Sequence, residues 1–447
     1  MYRRTVSVYN KIMLQYTTDE PIYALATAYA PSALAVIRAS GENSLSLLAP
    51  FFKGRLSERA SNTAVHGWIK DEDGSIIDEV VVVKYDRGRG YTSEEAFEIM
   101  SHGSLPVIRK ISCVLEKAGF RRALRGEFSY RAFMHGKMDL TEAEAVEELV
   151  KAKGERGREG AIERLSGSVK KEAGEIKKEI INILASLEVQ LDYGEDEIIE
   201  EWVFPLERVG ALISRLEKMS ATYRSERIYS EGAKVVLAGH ANAGKSSLFN
   251  ALLKENRAIV SPVAGTTRDY LEAECEMDGI PVRLFDTAGL REGSDDIERE
   301  GISRSERMIE EADLVVYVLD GDEKESEKKS EKTLYVHSKS DLMHADGLSF
   351  SSVTGEGLDR VIEAVTGMLT SEIETFSSVP VIESRRQKEK IDETAAALRD
   401  AISNRNMSAD IIALFFQSAL EALGELTGEI TTEDVLDELF SSFCLGK

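Results

Sequence analysis

The sequence predicts an α/β multidomain protein, in which an N-terminal α+β region is followed by an α-helical domain that an inserted α/β domain interrupts. Three observations predict this. Short β-type runs fill the first part of the chain, long amphipathic repeats follow, and strand–loop–helix patterns separate the first helical stretch from a second. The 447 residues are enough for about three domains. The predicted segments are 1–135, 136–230, 231–380 and 381–447, the second and fourth forming the interrupted helical domain.

The N-terminal region holds the short apolar runs. Ile22–Thr27, Leu34–Arg38 and Val80–Tyr85 are predicted strands, and the last of them, VVVVKY, is continuous enough for a buried strand. Turn residues such as Ser40-Gly41 and Asp73-Gly74 separate these runs. The pattern is typical of an α+β domain.

Helical periodicity dominates the two flanking regions. The segment GEIKKEIINILASLEVQLD places apolar residues at i, i+3, i+4 and i+7, as long amphipathic helices do. After Pro380 there is no further proline, and the same periodicity returns. Thr431 and Asp434 have the spacing of a capping box, which predicts the start of the last helix.

Composition excludes several classes of protein. With 56 basic and 79 acidic residues the net charge is −23, which disfavours a nonspecific polyanion binder, although a local basic patch stays open. No apolar run is long enough for a transmembrane helix, so we expect no membrane partner. Three cysteines without paired spacing (Cys113, Cys275 and Cys444) predict free thiols and a cytoplasmic location.

A phosphate-binding loop is the strongest single signal. Gly239–Ser246 (GHANAGKS) lies between the strand-like AKVVLA and the helix-like SSLFNALL, the context that a P-loop requires. The glycines allow backbone N–H groups to surround phosphates, Lys245 reaches the β- and γ-phosphates, and the Ser246 hydroxyl can bind Mg²⁺.

Three further motifs follow in the order expected of a GTPase. Gly265–Asp269 offers Thr267 to Mg²⁺, and Phe285–Gly289 offers Asp286 to the metal through water and the Gly289 N–H to the γ-phosphate. Ser338–Asp341 occupies the place of the guanine-recognition motif. The Asp341 carboxylate can accept from guanine N1–H and N2–H₂ together, which adenine does not offer. Ser338 replaces the usual Asn, and Ser351–Val353 departs from the usual SAK triplet.

Two further sequence signatures, one at the end of the N-terminal region and one at the C-terminus, indicate a protein family. The segment RGEFSYRAFMHGKMDLTEAEAVEEL (125–149) resembles the signature of the MnmE (TrmE) family of tRNA-modification GTPases, which are TrmE-Era-EngA-like GTPases, and Phe443–Lys447 (FCLGK) resembles the family's C-terminus. The resemblance extends from about residue 21 to the end of the chain.

The resemblance implies a specific architecture and activity. It implies an N-terminal folate-binding and dimerisation domain with an aminomethyltransferase-like fold, a helical domain, and an inserted Ras-like P-loop GTPase domain. Such a homodimer acts with a flavin-dependent partner, MnmG (GidA), in an expected heterotetramer. Together they place a carboxymethylaminomethyl-type group on C5 of the wobble uridine of certain tRNAs, using 5-formyl- or 5,10-methylene-tetrahydrofolate.

The resemblance also implies site residues. K⁺-dependent pairing of GTPase domains activates hydrolysis, Glu298 orients the attacking water through a bridging water, and Lys245 and Cys444 complete the predicted catalytic set. Mg²⁺ is assigned to Ser246 and Thr267, K⁺ to Asn242, Ser261, Val263 and Thr266, and folate to Arg38, Glu98, Lys137 and Lys447. The implied GTP contacts are Asn242, Ala243, Gly244, Lys245, Ser246, Ser247, Ser261, Pro262, Val263, Ala264, Gly265, Thr266, Thr267, Asp286, Thr287, Ala288, Gly289, Ser338, Lys339 and Asp341.

Alternatives accompany these assignments. The chain could be a GTPase switch of the ribosome-assembly type, or a folate-binding scaffold with a decayed nucleotide site. Glu298 could be one acid among several in a polar segment, and Cys444 could be a buried apolar residue on the last helix. The clearest basic cluster could contact tRNA or pair with nearby acids; its members are Arg121, Arg122, Arg125 and Arg131.

Overall fold

A computed structural model describes residues 16–56, 58–192, 202–240, 242–255, 271–286, 307–320, 332–342, 347–370 and 379–446. These residues form two compact units. The first contains the described parts of Met1–Glu147 and Gly424–Lys447, and the second is built from Glu148–Leu423. Among the described helices, none combines the length and the apolar character needed to cross a membrane.

The first unit is built around a seven-stranded sheet of order β3-β4-β5-β6-β2-β1-β7. All the strand pairs are antiparallel except β1 with β7. The strands are β1 (Ile22–Leu25), β2 (Ser32–Ser40), β3 (Phe52–Lys53), β4 (Thr63–Lys70), β5 (Ile76–Tyr85), β6 (Ala96–Gly103) and β7 (Arg121–Arg122). The helices of this part of the chain are α1 (Ser44–Leu48), α2 (Leu105–Lys117), α3 (Glu127–Met134) and α4 (Leu140–Lys151).

Strand alternation decides which side chains enter the core of this unit. Ile37 on β2 and Ile99 on β6 are fully buried in the cluster that also contains Ile108 and Ile111 of α2. Because successive side chains of a strand point to opposite faces, the intervening Arg38 and Glu98 lie on the other face. They are directly opposite each other in the β2–β6 register.

The end of the chain packs within the first unit, and the assignment of 381–447 to the helical domain stays a prediction. Gly424–Lys447, including helix α12 (Glu433–Ser441), is grouped with the N-terminal unit. The buried Phe440 ring packs edge-on against Tyr130 at 5.6 Å and tilted against Phe133 at 6.3 Å. Gly126 has φ +68, and a Cβ there would lie 2.3 Å from the Phe440 carbonyl oxygen, so this contact requires glycine.

The predicted capping box at Thr431 and Asp434 is wrong in its placement. Helix α12 begins at Glu433, and Thr432 occupies the N-cap position without a capping side-chain hydrogen bond. Acidic residues in the first turn, Glu433 and Asp434, instead provide favourable charge at the helix N-terminus.

The second unit contains a five-stranded sheet of order β12-β11-β8-β10-β9, in which only β9 is antiparallel to its neighbour. The strands are β8 (Ala233–Ala238), β9 (Leu271–Met277), β10 (Ile280–Asp286), β11 (Leu314–Asp320) and β12 (Thr333–Ser338). The helices that lie wholly or mainly in this unit are α5 (Glu155–Leu165), α6 (Ser168–Asp192), α7 (Leu206–Glu231), α8 (Lys245–Glu255), α9 (Leu358–Thr370), α10 (Arg385–Ser403) and α11 (Ala409–Thr427).

The helix that precedes this sheet in the chain, α7, packs against the helix that follows it, α10. Ser220 on α7 donates a hydrogen bond to Asp392 of α10 at 2.6 Å, and the Ile382 N–H donates to Thr222 Oγ1 at 3.0 Å. The chain therefore leaves the helical layer after α7, builds the sheet, and returns to the same layer before α10. This confirms the predicted fold class of a helical domain with an inserted α/β domain.

Candidate functional site

The nucleotide motifs meet at the carboxyl ends of the parallel strands. Strands β8, β10, β11 and β12 end at Ala238, Asp286, Asp320 and Ser338, and the P-loop follows the first of these. Ligands of open α/β sheets bind at this edge. The fold therefore brings together the predicted nucleotide residues, which lie about a hundred positions apart in the chain, at one edge of the sheet.

The P-loop has the backbone that its sequence requires. Gly239 has φ +137, and a Cβ there would lie 2.3 Å from the Val318 carbonyl oxygen. Asn242 also lies in the left-handed region, with φ 63, and Asn is among the few residue types that tolerate it. Lys245 is buried, and its Nζ donates to the carbonyl oxygens of Gly239 at 3.0 Å and His240 at 2.7 Å.

Two oxygen ligands suited to Mg²⁺ are adjacent. Ser246 Oγ at the start of α8 donates to Asp286 Oδ2 at 2.7 Å, and Asp286 is fully buried at the end of β10. Hydroxyl and carboxylate oxygens are the ligands that Mg²⁺ prefers, commonly with retained waters. These oxygens therefore fit Mg²⁺, and the water-mediated role of Asp286 stays a prediction.

The guanine-recognition segment lies beside the P-loop. The Ser338 hydroxyl is buried without a hydrogen-bond partner among the described residues, and a Cβ on Gly244 would lie 3.1 Å from Ser338 Cβ. Lys339 Nζ forms an ion pair with Asp320 at 2.7 Å, while the Asp341 side chain is exposed. A free hydroxyl and an open carboxylate leave polar groups available to a purine base.

Several predicted nucleotide residues lie outside the described part of the chain. These are Ser261, Pro262, Val263, Ala264, Gly265, Thr266, Thr267, Thr287, Ala288, Gly289 and Glu298. Their assigned roles stay predictions.

A second candidate site lies in the first unit, around two of the predicted folate residues. Arg38 Nη2 donates to Glu98 Oε1 at 2.8 Å, and both side chains line a cavity of about 120 Å³. The Arg38 guanidinium also donates to the Gly446 carbonyl oxygen at 3.1 Å. Lys447 lies outside the described residues, so its assignment to folate stays a prediction.

Lys137, the third predicted folate residue, lies beside the β5–β6 loop, and its folate role stays a prediction. Its side chain is exposed, and Nζ donates to the Gly88 carbonyl oxygen at 3.3 Å in the loop between β5 and β6. It is not among the residues that line the cavity.

Two aromatic residues of the cavity were missed by the sequence analysis. Tyr91 and Phe128 have their ring centroids 5.8 and 5.6 Å from Arg38 Cζ, within cation–π range. An isolated aromatic within the polar turn RGRGYTSEE, and the Phe of the GEF signature, were the available signals. Burial raises the pKa of Tyr91.

Cys444 is exposed and lies after the end of α12, so the alternative of a buried cysteine on the last helix is wrong. The next residue, Leu445, forms a β-bridge with Arg125 and lines a cavity of about 630 Å³ in the first unit. Cys113 is also exposed, whereas Cys275 is buried and its thiol pKa is raised to about 11 by desolvation.

The predicted basic cluster is largely neutralised. Arg131 is completely buried against Glu94 and Glu127, Arg121 pairs with Glu20 and Glu127, and Arg122 pairs with Glu116. The shortest distance to a carboxylate oxygen is 3.1 Å for Arg131 and 2.6 Å for both Arg121 and Arg122. Three of the four arginines are thus engaged with acids, as the alternative proposed.

The fold and the nucleotide site define a P-loop GTPase inserted into a helical domain and accompanied by an N-terminal α+β domain. Comparisons with known proteins agree. The GTP-binding protein TrmE N-terminus matches residues 21–137, and the MnmE helical domain matches residues 140–444. The chain belongs to the MnmE family of tRNA modification GTPases.

Curated relatives match over their full length. The tRNA modification GTPase MnmE of Treponema denticola is 38% identical over 97% of this chain and 99% of the relative. The MnmE of Thermus thermophilus is 38% identical over 96% and 99%, and that of Aquifex aeolicus is 36% identical over 96% and 100%.

Proposed function

We propose that this protein hydrolyses GTP to drive a folate-dependent modification of tRNA. With a flavin-dependent partner of the MnmG type, it adds a carboxymethylaminomethyl-type group to C5 of the wobble uridine in the cytoplasm. The observation that carries the proposal is that one chain holds both a P-loop site and the separate Arg38–Glu98 cavity. A ribosome-assembly switch would not need the N-terminal domain, so that alternative loses its support.

The nucleotide site supports GTP hydrolysis through charge. Lys245 Nζ now donates to two loop carbonyls, which the β- and γ-phosphate oxygens would replace as acceptors. Mg²⁺ held by Ser246, and through water by Asp286, would neutralise phosphate charge. The arrangement of Lys245, Ser246 and Asp286 also argues against a decayed nucleotide site.

We propose that K⁺-dependent pairing of two GTPase domains completes this site. Asn242 is assigned to K⁺ together with Ser261, Val263 and Thr266, and Glu298 is assigned to the attacking water. A monovalent cation beside the phosphates would supply positive charge in the transition state where other GTPases use an arginine.

The N-terminal cavity suits a reduced folate. The Glu98 carboxylate can accept from the amino and ring N–H groups of a pterin, and Arg38 can bind a carboxylate or a ring carbonyl. Lys137, beside the β5–β6 loop, would bind glutamate carboxylates of the folate outside the cavity, and Lys447 is assigned to the same carboxylates. A tetrahydrofolate derivative supplies a one-carbon unit when bound.

Reconstitution tests the proposal directly. The purified homodimer, a flavin-dependent partner, GTP, K⁺, 5,10-methylene-tetrahydrofolate and an unmodified tRNA transcript are combined, and digested nucleosides are analysed by mass. We expect a C5-modified uridine that disappears when GTP, the folate or the partner is omitted. Glu98→Gln should abolish the product while leaving GTP hydrolysis intact; a product formed without folate would contradict the proposal.

A further inference from the structure

One loop of the first unit forms one wall of the Arg38–Glu98 cavity. The β5–β6 loop (residues 86–95) contributes Arg89, Gly90, Tyr91 and Thr92 to the lining. The opposite wall comes from strands β2 and β6, whose ladder fixes Arg38 and Glu98. A loop wall can move more easily than a strand wall because fewer backbone hydrogen bonds hold it.

The signature segment 125–149 holds this loop through three side chains. Ser129 Oγ and the Tyr91 hydroxyl are hydrogen-bonded at 2.8 Å, Arg131 Nη1 donates to Glu94 at 3.2 Å, and Lys137 Nζ donates to Gly88 O at 3.3 Å. Three polar residues of the signature, Ser129, Arg131 and Lys137, therefore contact this one loop.

Tyr91 occupies a special position on this wall. Its ring and that of Phe128 both lie within cation–π range of the Arg38 guanidinium. Burial raises the pKa of Tyr91, so its hydroxyl stays protonated and able to donate to Ser129. The Tyr91 ring is nevertheless not enclosed, since the residue is 39% exposed.

The cavity is too small for a whole folate in this closed arrangement. Its volume of about 120 Å³ is well below the roughly 300–1,000 Å³ of pockets that enclose drug-sized ligands. A ligand with a planar ring and a long acidic tail would place the ring beside Arg38 and Glu98 and leave the tail outside. The ring of Tyr91 is the part of the loop best placed to cover such a ligand.

We propose that Tyr91 is a specificity-determining residue of this cavity. Its ring covers the planar heterocycle bound by Arg38 and Glu98, and its hydrogen bond with Ser129 holds the ring in position. This inference rests on the proposed folate-dependent function and adds to it the residue that selects the ring. Aromatic contact favours a flat, polarisable ligand over an aliphatic acid of similar charge.

Calorimetric binding to the full-length protein tests the inference with two probes. The first is 5-formyl-tetrahydrofolate, and the second is p-aminobenzoylglutamate, which has the acidic tail but lacks the bicyclic ring. The variants are Tyr91→Phe, Ser129→Ala, the double variant and Tyr91→Ala. Tyr29→Ala, at an exposed tyrosine of the same unit outside the cavity lining, is the matched control.

We expect Tyr91→Phe and Ser129→Ala each to weaken 5-formyl-tetrahydrofolate binding about threefold to tenfold. Because both remove the same hydrogen bond, the double variant should be no weaker than either single variant. Tyr91→Ala should lose about tenfold or more. None of them should change the affinity for p-aminobenzoylglutamate, and Tyr29→Ala should bind both probes as the wild type does.

The possible failures are distinguishable. If the wild type binds 5-formyl-tetrahydrofolate and Tyr91→Ala binds it equally well, the inference is overturned and the proposed function stands. Additive losses in the double variant would overturn the role of Ser129. If the wild type binds no folate, the proposed function fails, and the inference fails with it.

Discussion

Arg131 Nη2 donates a hydrogen bond to Glu127 Oε1 at 3.1 Å, and both side chains are completely excluded from solvent. The same guanidinium donates to Glu94 at 3.2 Å and to the carbonyl oxygens of Thr17 and Glu20 at 2.8 Å. One buried side chain thus joins α3, the β5–β6 loop and the segment before β1.

Replacing Arg131 by Ala should destabilise the first unit by about 3–5 kcal/mol, because two buried carboxylates lose a partner. The exposed Arg125→Ala should change the free energy of unfolding by less than about 0.5 kcal/mol. Urea denaturation followed by Trp68 fluorescence, in a Trp202→Phe background, reports on this unit alone. Equal effects of the two substitutions would contradict the structural role of Arg131.

The burial of Arg131 is a feature that the sequence could not predict. The signature 125–149 was found by resemblance, but Arg131 was grouped with three neighbouring arginines as a surface cluster. Its acceptors Glu94 and Thr17 are 37 and 114 residues away in the chain, and no local pattern predicts such a meeting. Lys137 was assigned to folate by resemblance alone, and its contact with Gly88, 49 residues away, was likewise not predictable from a local pattern.

Local patterns succeeded where the chemistry is local. VVVVKY predicted a buried strand and forms the second half of β5, and the spacing Gly239–Ser246 predicted a P-loop between a strand and a helix. Tyr91 was missed because its importance depends on Arg38 and Ser129, which come from other elements. The capping box failed because Thr432 rather than Thr431 occupies the N-cap position and makes no capping side-chain hydrogen bond.

A second buried charge cluster predicts a pH dependence. Arg164 is fully buried and contacts Glu148 at 2.7 Å, Glu383 at 2.5 Å and Glu226 at 3.8 Å, so three carboxylates surround one guanidinium. Desolvation raises the pKa of Glu226 and that of Glu383, although Arg164 opposes the shift in both. Arg156 is a further cation that favours ionised Glu226.

We expect Glu226→Gln to stabilise the second unit at pH 8 and to leave it unchanged near pH 4. A raised pKa means that the folded state binds the proton more tightly than the unfolded chain. Its stabilisation is complete below the unfolded glutamate pKa of about 4.3 and is lost as pH rises through the folded value. The neutral variant does not suffer this loss.

Urea denaturation at several pH values, followed by Trp202 fluorescence in a Trp68→Phe background, measures the difference. Glu159→Gln replaces an exposed glutamate on the same helix and should show no such pH-dependent gain. A Glu226→Gln variant that is less stable at pH 8 than at pH 4, relative to wild type, would mean that the attraction of Arg164 outweighs desolvation.

The guanine assignment predicts a change of base specificity. Asp341→Asn replaces an acceptor of two guanine N–H groups by an amide that can donate to the C2 carbonyl of xanthine. We expect GDP affinity to fall about 10- to 100-fold, since a hydrogen bond to a charged group contributes about 1.5–3 kcal/mol. XDP affinity should rise. Competition with fluorescent nucleotides measures both, and an unchanged GDP affinity would place base recognition elsewhere.

The K⁺ assignment is tested at Asn242, the one assigned K⁺ ligand within the described part of the chain. GTP hydrolysis by the wild type should be about tenfold or more faster in K⁺ than in Na⁺, because the cation adds charge next to the phosphates. Glu298→Ala should be slow in both salts. Since Asn242 has φ 63, Asn242→Ala would change the backbone as well as the ligand.

Two further variants separate these effects. Asn242→Gly tolerates the left-handed backbone without an amide oxygen, so it should lose the preference for K⁺ while still binding GTP. Asn242→Asp keeps an oxygen and tolerates the same backbone, so it should retain part of the preference. If Asn242→Gly kept the full K⁺ stimulation, the side chain would not be the ligand. Equal wild-type rates in K⁺ and Na⁺ would remove the K⁺ site from this protein.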